Sequence, residues 1–248
     1  MEERFYKFSS FSCFPEIVQG ISNRSYGEMK FGSAQDAEVI KNRKQFAKDL
    51  GIELNQVIFP HQVHGNRITA VGKAEGGKGA LETSGSLIEA DGLITAEKGI
   101  YLGITTADCL PILIYDPANR VVAAIHAGWR GIIDQIVPRA IEKFKEFGSD
   151  PENLIVGVGP GICQKHFVVK NEVLKIFLDR YPSVTFVRNK DGYVDLKKAL
   201  FDDLKKAGVS KDNIEIADFC TVCDNGIYGS FRKEGEKGPK MIAVIGLK

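Results

Sequence analysis

At 248 residues, the chain is long enough to bury a core without disulfide or metal staples. Lys and Arg (33) almost balance Asp and Glu (32), so no basic surplus indicates a nucleic acid or an anionic membrane as partner. No apolar run approaches the roughly 20 residues that span a bilayer, and residues 1–10 lack the apolar core of a secretory signal. We therefore expect a cytoplasmic protein that acts on a small molecule, and the sequence identifies no protein partner.

The five cysteines predict free thiols rather than a disulfide framework. Their number is odd and they are scattered through a chain too large to need such staples: Cys13, Cys109, Cys163, Cys220 and Cys223. Cys220 and Cys223 form a CxxC pair, which without a second pair is a poor zinc site and a weakly specific redox motif. Each thiol is available as a metal ligand or a nucleophile.

Short apolar runs bounded by Gly, Pro or Asp predict strands along the chain. These runs are 56–59, 67–71, 101–105, 111–116, 121–127, 153–159, 214–218 and 241–247. Several are apolar throughout, which is typical of strands buried on both faces. Between them, glycine, serine and charge replace apolar periodicity over 73–86, and this composition predicts an exposed loop.

Three segments carry apolar residues at spacings of three and four, which predicts helices over 131–147, 171–180 and 195–207. Asp195 is the expected N-cap of the third. Residues 111–127 predict a hairpin, because Asp116-Pro117-Ala118-Asn119 supplies turn residues between two strand-like runs. Together these elements predict a single domain over 1–248 of the α+β class, with layered mixed β-sheets flanked by helices.

The predicted hairpin places two reactive side chains at one end. Cys109 precedes its first strand and His126 ends its second strand, so the two lie side by side if the strands are antiparallel. His64 completes a set of two imidazoles and one thiolate if its strand runs alongside. Such a set suits Zn²⁺, because nitrogen and sulfur ligands at about 2.0–2.3 Å fill three tetrahedral positions and leave the fourth for water or substrate. We interpret His61 as a turn residue and His166 as a surface or packing residue.

Other interpretations of the same residues stay open. A lone cysteine before an apolar strand is usually a small buried hydrophobe, and a histidine at a strand end is usually a polar cap. The spacing of His64, Cys109 and His126 matches no compact metal motif. One alternative is a metal-free cysteine hydrolase or deamidase in which Cys109 attacks and His126 is the base. Another is a non-catalytic partner protein.

A series of motifs resembles the laccase-domain family, whose members were once named polyphenol oxidases. The motifs are QVHG (62–65), ADGLIT (90–95), TADCLPILIYDP (106–117), AAIHAGWRG (123–131), GPGI (159–162), DFCT (218–221) and GSFRK (229–233). The chain is similar to a single-domain bacterial-type member from about Ser22 to its C-terminus. This resemblance implies that His64, Cys109 and His126 bind an active-site zinc ion. Multicopper oxidation is not expected, because four histidines are too few to hold the copper sites of a true laccase.

The resemblance also implies an activity. It indicates a purine nucleoside phosphorylase for adenosine, inosine and 5′-methylthioadenosine, with hydrolytic deamination of adenosine in some members. Its partners are then purine nucleosides and phosphate. Arg24, Arg130 and Arg232 are candidate substrate-binding residues, because a planar guanidinium binds phosphate through two parallel hydrogen bonds. We rank Arg24 and Arg232 ahead of Arg130, since an arginine at a helix start can instead form a structural ion pair.

Overall fold

The structure is a computed structural model that describes residues 4–32, 34–81 and 88–248. Its strands are β1 (Phe5–Tyr6), β2 (Ile17–Ser22), β3 (Val57–Ile58), β4 (Ile68–Ala70), β5 (Gly92–Thr95), β6 (Tyr101–Thr106), β7 (Leu110–Asp116), β8 (Val121–Ala127), β9 (Ile155–Val158), β10 (Val168–Val169), β11 (Thr185–Arg188), β12 (Asp191–Val194), β13 (Ile214–Ile216) and β14 (Met241–Leu247). Its α-helices are α1 (Asp36–Leu50), α2 (Trp129–Ile133), α3 (Ile136–Glu146), α4 (Asn171–Arg180), α5 (Leu196–Lys206) and α6 (Phe231–Glu234). Within these ranges, no helix has the length and apolarity that a membrane crossing requires.

Two large mixed sheets organise the strands. The first has the order β1-β2-β14-β6-β3 and the second has the order β13-β9-β7-β8-β5-β4. In the first sheet β3 runs parallel to β6, whereas β14 runs antiparallel to both of its neighbours. A small third sheet, β10-β12-β11, lies beside them in the chain's later half.

The two large sheets lie between two layers of helix. Leu102 of the first sheet and Leu113 of the second belong to the core between the sheets, and alternate residues of the same strands face outward. The outer face of the first sheet packs on α1, where Phe46 is buried. The outer face of the second sheet packs on α2, α3, α4 and α5, where Phe144 is fully buried. This arrangement confirms the predicted α+β class with layered mixed sheets flanked by helices.

The hairpin predicted over 111–127 is confirmed. Strands β7 and β8 are antiparallel, and Pro111 lies opposite His126. The Asp116 carboxylate accepts the backbone N–H groups of Ala118 and Asn119, which closes the turn between the strands. Cys109, one residue before β7, therefore lies at the same end of the hairpin as His126.

The helix predicted over 131–147 is wrong as one continuous element. The chain forms α2 and α3 instead, separated by Asp134 and Gln135, and Gln135 has a left-handed backbone with φ 63°. A left-handed residue ends one helix and redirects the next, so the apolar residues of both helices can pack on the same sheet. Helices α4 and α5 are confirmed, with the Asp195 side chain accepting the Lys198 N–H at 3.0 Å.

Six strands had no counterpart among the predicted elements, namely β1, β2, β5, β10, β11 and β12. Residues 73–75 of the predicted loop form a 3₁₀ turn, and residues 82–86 of that loop lie outside the described residues. The predicted strands otherwise agree with the structure to within one or two residues at most ends.

Candidate functional site

His64, Cys109 and His126 meet where the chain passes from one large sheet to the other. His64 lies in the connection from β3 of the first sheet to β4 of the second, and Cys109 lies in the connection from β6 to β7. His126 is near the end of β8. One donor atom from each residue lies within 4.8 Å of the other two. The two imidazole rings are perpendicular, with centroids 4.8 Å apart.

This donor set suits a zinc ion. A tetrahedral zinc with Zn–N and Zn–S bonds of about 2.0–2.3 Å places its ligand atoms roughly 3.3–3.6 Å apart. The three donor atoms lie within 4.8 Å of one another, so a small closure of the group would bring them to these separations. Gly128 leaves room beside the set, since a Cβ there would lie 3.2 Å from Cδ2 of His64 and 3.3 Å from Sγ of Cys109. The geometry fits zinc, and the ligand roles stay a prediction.

Asp91 orients both histidines and was absent from our sequence-based candidates. Its buried Oδ1 lies 2.8 Å from Nδ1 of His126, which leaves Nε2 of that ring free to act as a ligand. The same carboxylate accepts the three successive backbone N–H groups of residues 63–65, at 2.6–3.2 Å. His64 has a left-handed backbone with φ 60°, and these bonds hold it there. Asp91 therefore fixes two of the three candidate ligands.

The site stabilises a thiolate. Burial opposes ionisation of Cys109, but the charge of His126 and hydrogen bonds from His126 and His64 outweigh it and lower the Cys109 pKa to about 6. Burial alone lowers the pKa of His126, yet the Cys109 thiolate and Asp91 raise it to about 9. An anionic sulfur is the form that binds a metal ion, whereas the His126 ring must lose a proton to do so.

Gln62 and Asp108 form hydrogen bonds that fix the chain segments containing His64 and Cys109. Gln62 donates to the Thr105 carbonyl at 2.8 Å and accepts the Thr105 N–H at 2.7 Å, which ties the His64 segment to the end of β6. Asp108 is buried with φ 79°, and its carboxylate accepts the Arg232 N–H at 2.5 Å. The left-handed turn at Asp108 lies immediately before Cys109 and joins it to the start of α6.

A cleft of about 990 Å³ opens over the three residues and is lined by aromatic and polar side chains. Arg130 and Arg232 both line it. The Arg130 guanidinium stacks 4.5 Å above the Trp129 ring and forms no ion pair with an acidic side chain among the described residues. Arg232 donates from Nη1 to the His166 carbonyl at 2.7 Å.

Arg24 is engaged elsewhere. Its guanidinium donates to the Asn225 carbonyl and forms an ion pair with Glu234 at 2.9 Å, and it is not among the residues that line the cleft. Because Arg130 and Arg232 line the cleft and Arg24 does not, we infer that these two are better placed than Arg24 to bind substrate.

His61 and His166 lie outside the group of three, as predicted. His61 lines the cleft. His166 is more than a surface or packing residue, because it lies within a second group with Cys163, Cys220 and Cys223. The CxxC pair that we considered a poor zinc site therefore has two further partners.

Comparison with known proteins agrees with this architecture. A protein-family model described as "Multi-copper polyphenol oxidoreductase laccase" matches residues 12–248. The purine nucleoside phosphorylase YlmD of Bacillus subtilis (strain 168) is 30% identical over 237 residues, which are 92% of this chain and 85% of that protein. The adenosine deaminase RL5 of an unknown prokaryotic organism is 31% identical over 202 residues, which are 79% of this chain and 77% of that protein. The crystal structure of YlmD from Geobacillus stearothermophilus has a TM-score of 0.93 at 25% identity, covering 100% of this chain and 97% of that one.

Proposed function

This chain belongs to the family described as multi-copper polyphenol oxidoreductase laccase, and from that premise we propose that it is a zinc-dependent purine nucleoside phosphorylase. Its proposed substrates are adenosine, inosine and 5′-methylthioadenosine, with hydrolytic deamination of adenosine as a second reaction. The observation that carries the proposal is the convergence of His64, Cys109 and His126 in a cleft that Arg130 and Arg232 also line. The names of two relatives, a purine nucleoside phosphorylase and an adenosine deaminase, support the choice of reactions.

Cys109, His126, His64 and the supporting residue Asp91 have different roles at the proposed metal site. When bound, Zn²⁺ supplies a Lewis acid that acidifies a neighbouring water and stabilises developing negative charge. Cys109 contributes the negative charge of the ligand set, and Asp91 keeps Nε2 of His126 available. His64 is exposed and lines the cleft, so a metal held by these three residues would be accessible to substrate.

Phosphorolysis requires an anion site beside the sugar. A phosphate oxygen forms a bond to C1′ while the bond from C1′ to the purine breaks, and the leaving purine takes up a proton. Arg130 and Arg232 can each hold phosphate through paired N–H donors, and the Trp129 ring fixes the plane of the Arg130 guanidinium. Phe231 lines the cleft and is 54% exposed, which offers an aromatic face to the purine.

The first test is to incubate the zinc-loaded protein with adenosine, with and without phosphate, and to separate adenine, ribose 1-phosphate and inosine. We expect adenine and ribose 1-phosphate only when phosphate is present, and inosine under both conditions. Cys109→Ala removes an anionic ligand, so the zinc held by His64, Cys109 and His126 and all turnover should be lost together. Turnover that survives without zinc would contradict the proposal, and no turnover of any nucleoside would favour a non-catalytic partner protein.

The arginines should affect the two reactions differently. Hydrogen bonds to charged groups contribute about 1.5–3 kcal/mol, so Arg130→Ala and Arg232→Ala should each raise the half-saturating phosphate concentration roughly 10- to 100-fold. Deamination uses water and should change much less. The measurement is the ratio of phosphorolysis to deamination at equal zinc content, with Arg139→Ala as control because Arg139 is exposed on α3. An unchanged ratio in both variants would mean that phosphate binds elsewhere.

A metal-free cysteine hydrolase is the second candidate, and one observation favours it. Asp91, His126 and Cys109 form a continuous line in which a carboxylate orients an imidazole that contacts a thiol. The two candidates differ in whether the thiol is free. Zinc should protect Cys109 from iodoacetamide if it is a ligand, and alkylation that is equally fast with and without zinc would favour the hydrolase.

A further inference from the structure

The second group of metal-binding side chains consists of Cys163, His166, Cys220 and Cys223, and their donor atoms all lie within 4.8 Å of one another. Nδ1 of His166 lies 3.3 Å from Sγ of Cys163, 3.5 Å from Sγ of Cys223 and 3.7 Å from Sγ of Cys220. A tetrahedral zinc with one nitrogen and three sulfur ligands requires a nitrogen-to-sulfur separation of about 3.6 Å. We propose that these four residues form a second, structural zinc site.

Two neighbouring strands bring the four residues together. Strands β9 and β13 are parallel neighbours at the edge of the second sheet, so the segments that follow them leave the sheet on the same side. Cys163 and His166 follow β9, whereas Cys220 and Cys223 follow β13. A bridge between Gly161 and Cys220 aligns the two segments. Each segment supplies two ligands separated by two residues, which is the spacing of tight zinc-binding turns.

The residues around Cys163, Cys220 and Cys223 favour thiolates that are bound to a cation. All four ligand positions are filled by protein, which is the closed arrangement of structural zinc sites. Sγ of Cys220 accepts the backbone N–H of Cys163 at 3.3 Å, a bond that stabilises a charged sulfur. The Lys197 ammonium donates to the Phe219 carbonyl at 2.9 Å, which places a positive charge beside the cluster. Every cysteine in the group is a free thiol, and Cys223 is exposed, so an ion can enter.

An ion here would stabilise one wall of the cleft. The His166 carbonyl accepts Nη1 of Arg232, and the neighbouring Phe167 lines the cleft. Thr221, between the two cysteines of the CxxC pair, donates to the Asp108 carboxylate at 2.5 Å. The cluster thereby positions Arg232 and Asp108 without itself facing substrate. Metal binding by these four residues does not depend on which reaction the cleft performs.

Zinc content tests the proposal directly. Protein purified under reducing conditions and dialysed against a zinc chelator of moderate affinity should retain two zinc ions per chain, measured by elemental analysis and native mass spectrometry. Cys223→Ser should retain one, and Cys109→Ser should retain one. Cys13→Ser is the matched control, because Cys13 is exposed and belongs to neither group, and it should retain two. A single zinc in the wild-type protein that Cys223→Ser leaves unchanged would overturn the proposal.

Cobalt substitution identifies the ligands without relying on stoichiometry. Co²⁺ bound to Cys109→Ser should show the thiolate-to-cobalt absorption of a three-sulfur site, and this absorption should vanish when Cys223→Ser is added. A spectrum without thiolate absorption in Cys109→Ser would contradict the site. So would iron in place of zinc in the purified protein, or a Cys220–Cys223 disulfide that persists in protein purified under reducing conditions.

Discussion

Asp91 contacts two of the three candidate ligands of the active site. One buried carboxylate satisfies Nδ1 of His126 and three consecutive backbone N–H groups around His64. It thereby couples the ring orientation of one ligand to the backbone conformation of another. The hydrogen bond to His126 and the backbone donors lower the Asp91 pKa despite its burial, so the residue stays charged.

Replacing Asp91 with Asn tests this coupling. An amide oxygen can still accept from His126, but the NH₂ group then faces the backbone N–H groups of Val63 and Gly65, which both donate to Oδ2 in the wild type. Loss of such a supporting partner typically weakens metal affinity 10- to 100-fold. We expect that loss at the first site, measured by chelator competition in the Cys223→Ser background. Asp134→Asn is the control, since Asp134 is exposed, and equal affinities would contradict the role of Asp91.

The sequence alone indicated Cys109 and His126 more directly than His64, and it did not indicate Asp91 at all. Cys109 and His126 belong to one hairpin, and a hairpin is a local structure whose turn residues are visible in the sequence. His64 lies in the segment that comes from the other sheet, so the sequence alone could include it only on the condition that its strand runs alongside, and the family resemblance was needed to select it. Asp91 precedes a glycine, where a carboxylate is common in turns, and nothing in its neighbours indicates that it meets His126.

At the scale of elements, apolar runs predicted most of the central strands, because a strand that is buried on both faces of its sheet has apolar residues throughout. The same signal missed β2, where Gln19 and Gly20 interrupt the run, and the mostly exposed strand β11. It also missed the break between α2 and α3, because the apolar spacing continues across Gln135 and gives no sign of its left-handed backbone. The backbone conformation of Gln135 is determined by how α2 and α3 pack on the sheet, and the spacing of apolar residues does not record it.

Helix α5 carries a buried acid whose titration should be measurable. Asp203 accepts the Tyr181 hydroxyl at 2.7 Å, and burial raises its pKa. A raised pKa in the folded state favours the protonated form, so the stability it contributes is present below the unfolded pKa and is lost as pH rises through the folded value. We expect Asp203→Asn to gain stability relative to wild type as pH increases from about 4 towards neutrality.

Urea denaturation at several pH values measures this difference. Asp202→Asn is the control, because Asp202 lies on the same helix with its side chain only partly buried and paired to Lys198. A gap between Asp203→Asn and wild type that stays constant with pH would show that Asp203 does not titrate differently in the folded state.

At the scale of the whole molecule, the candidate active site belongs to no single element. The first sheet, the second sheet and the crossings between them each contribute, and the core between the sheets holds them in register. Sheet order is a non-local property, because β14 pairs with β2 and β6 across most of the chain. The sequence therefore predicted the layers without predicting which strands are neighbours.

Cys109 lies beside His126 as soon as the β7–β8 hairpin has formed, but His64 lies in the segment that joins the first sheet to the second and reaches His126 only when the two sheets have docked. We therefore expect the first zinc site to form late in folding, after the rate-limiting barrier. Contacts absent from the transition state slow unfolding and leave the folding rate unchanged. In Cys223→Ser, zinc should lengthen the unfolding time and not alter refolding, as followed by fluorescence of Trp129, the sole tryptophan. Faster refolding with zinc would mean that the ion gathers its ligands before the sheets meet.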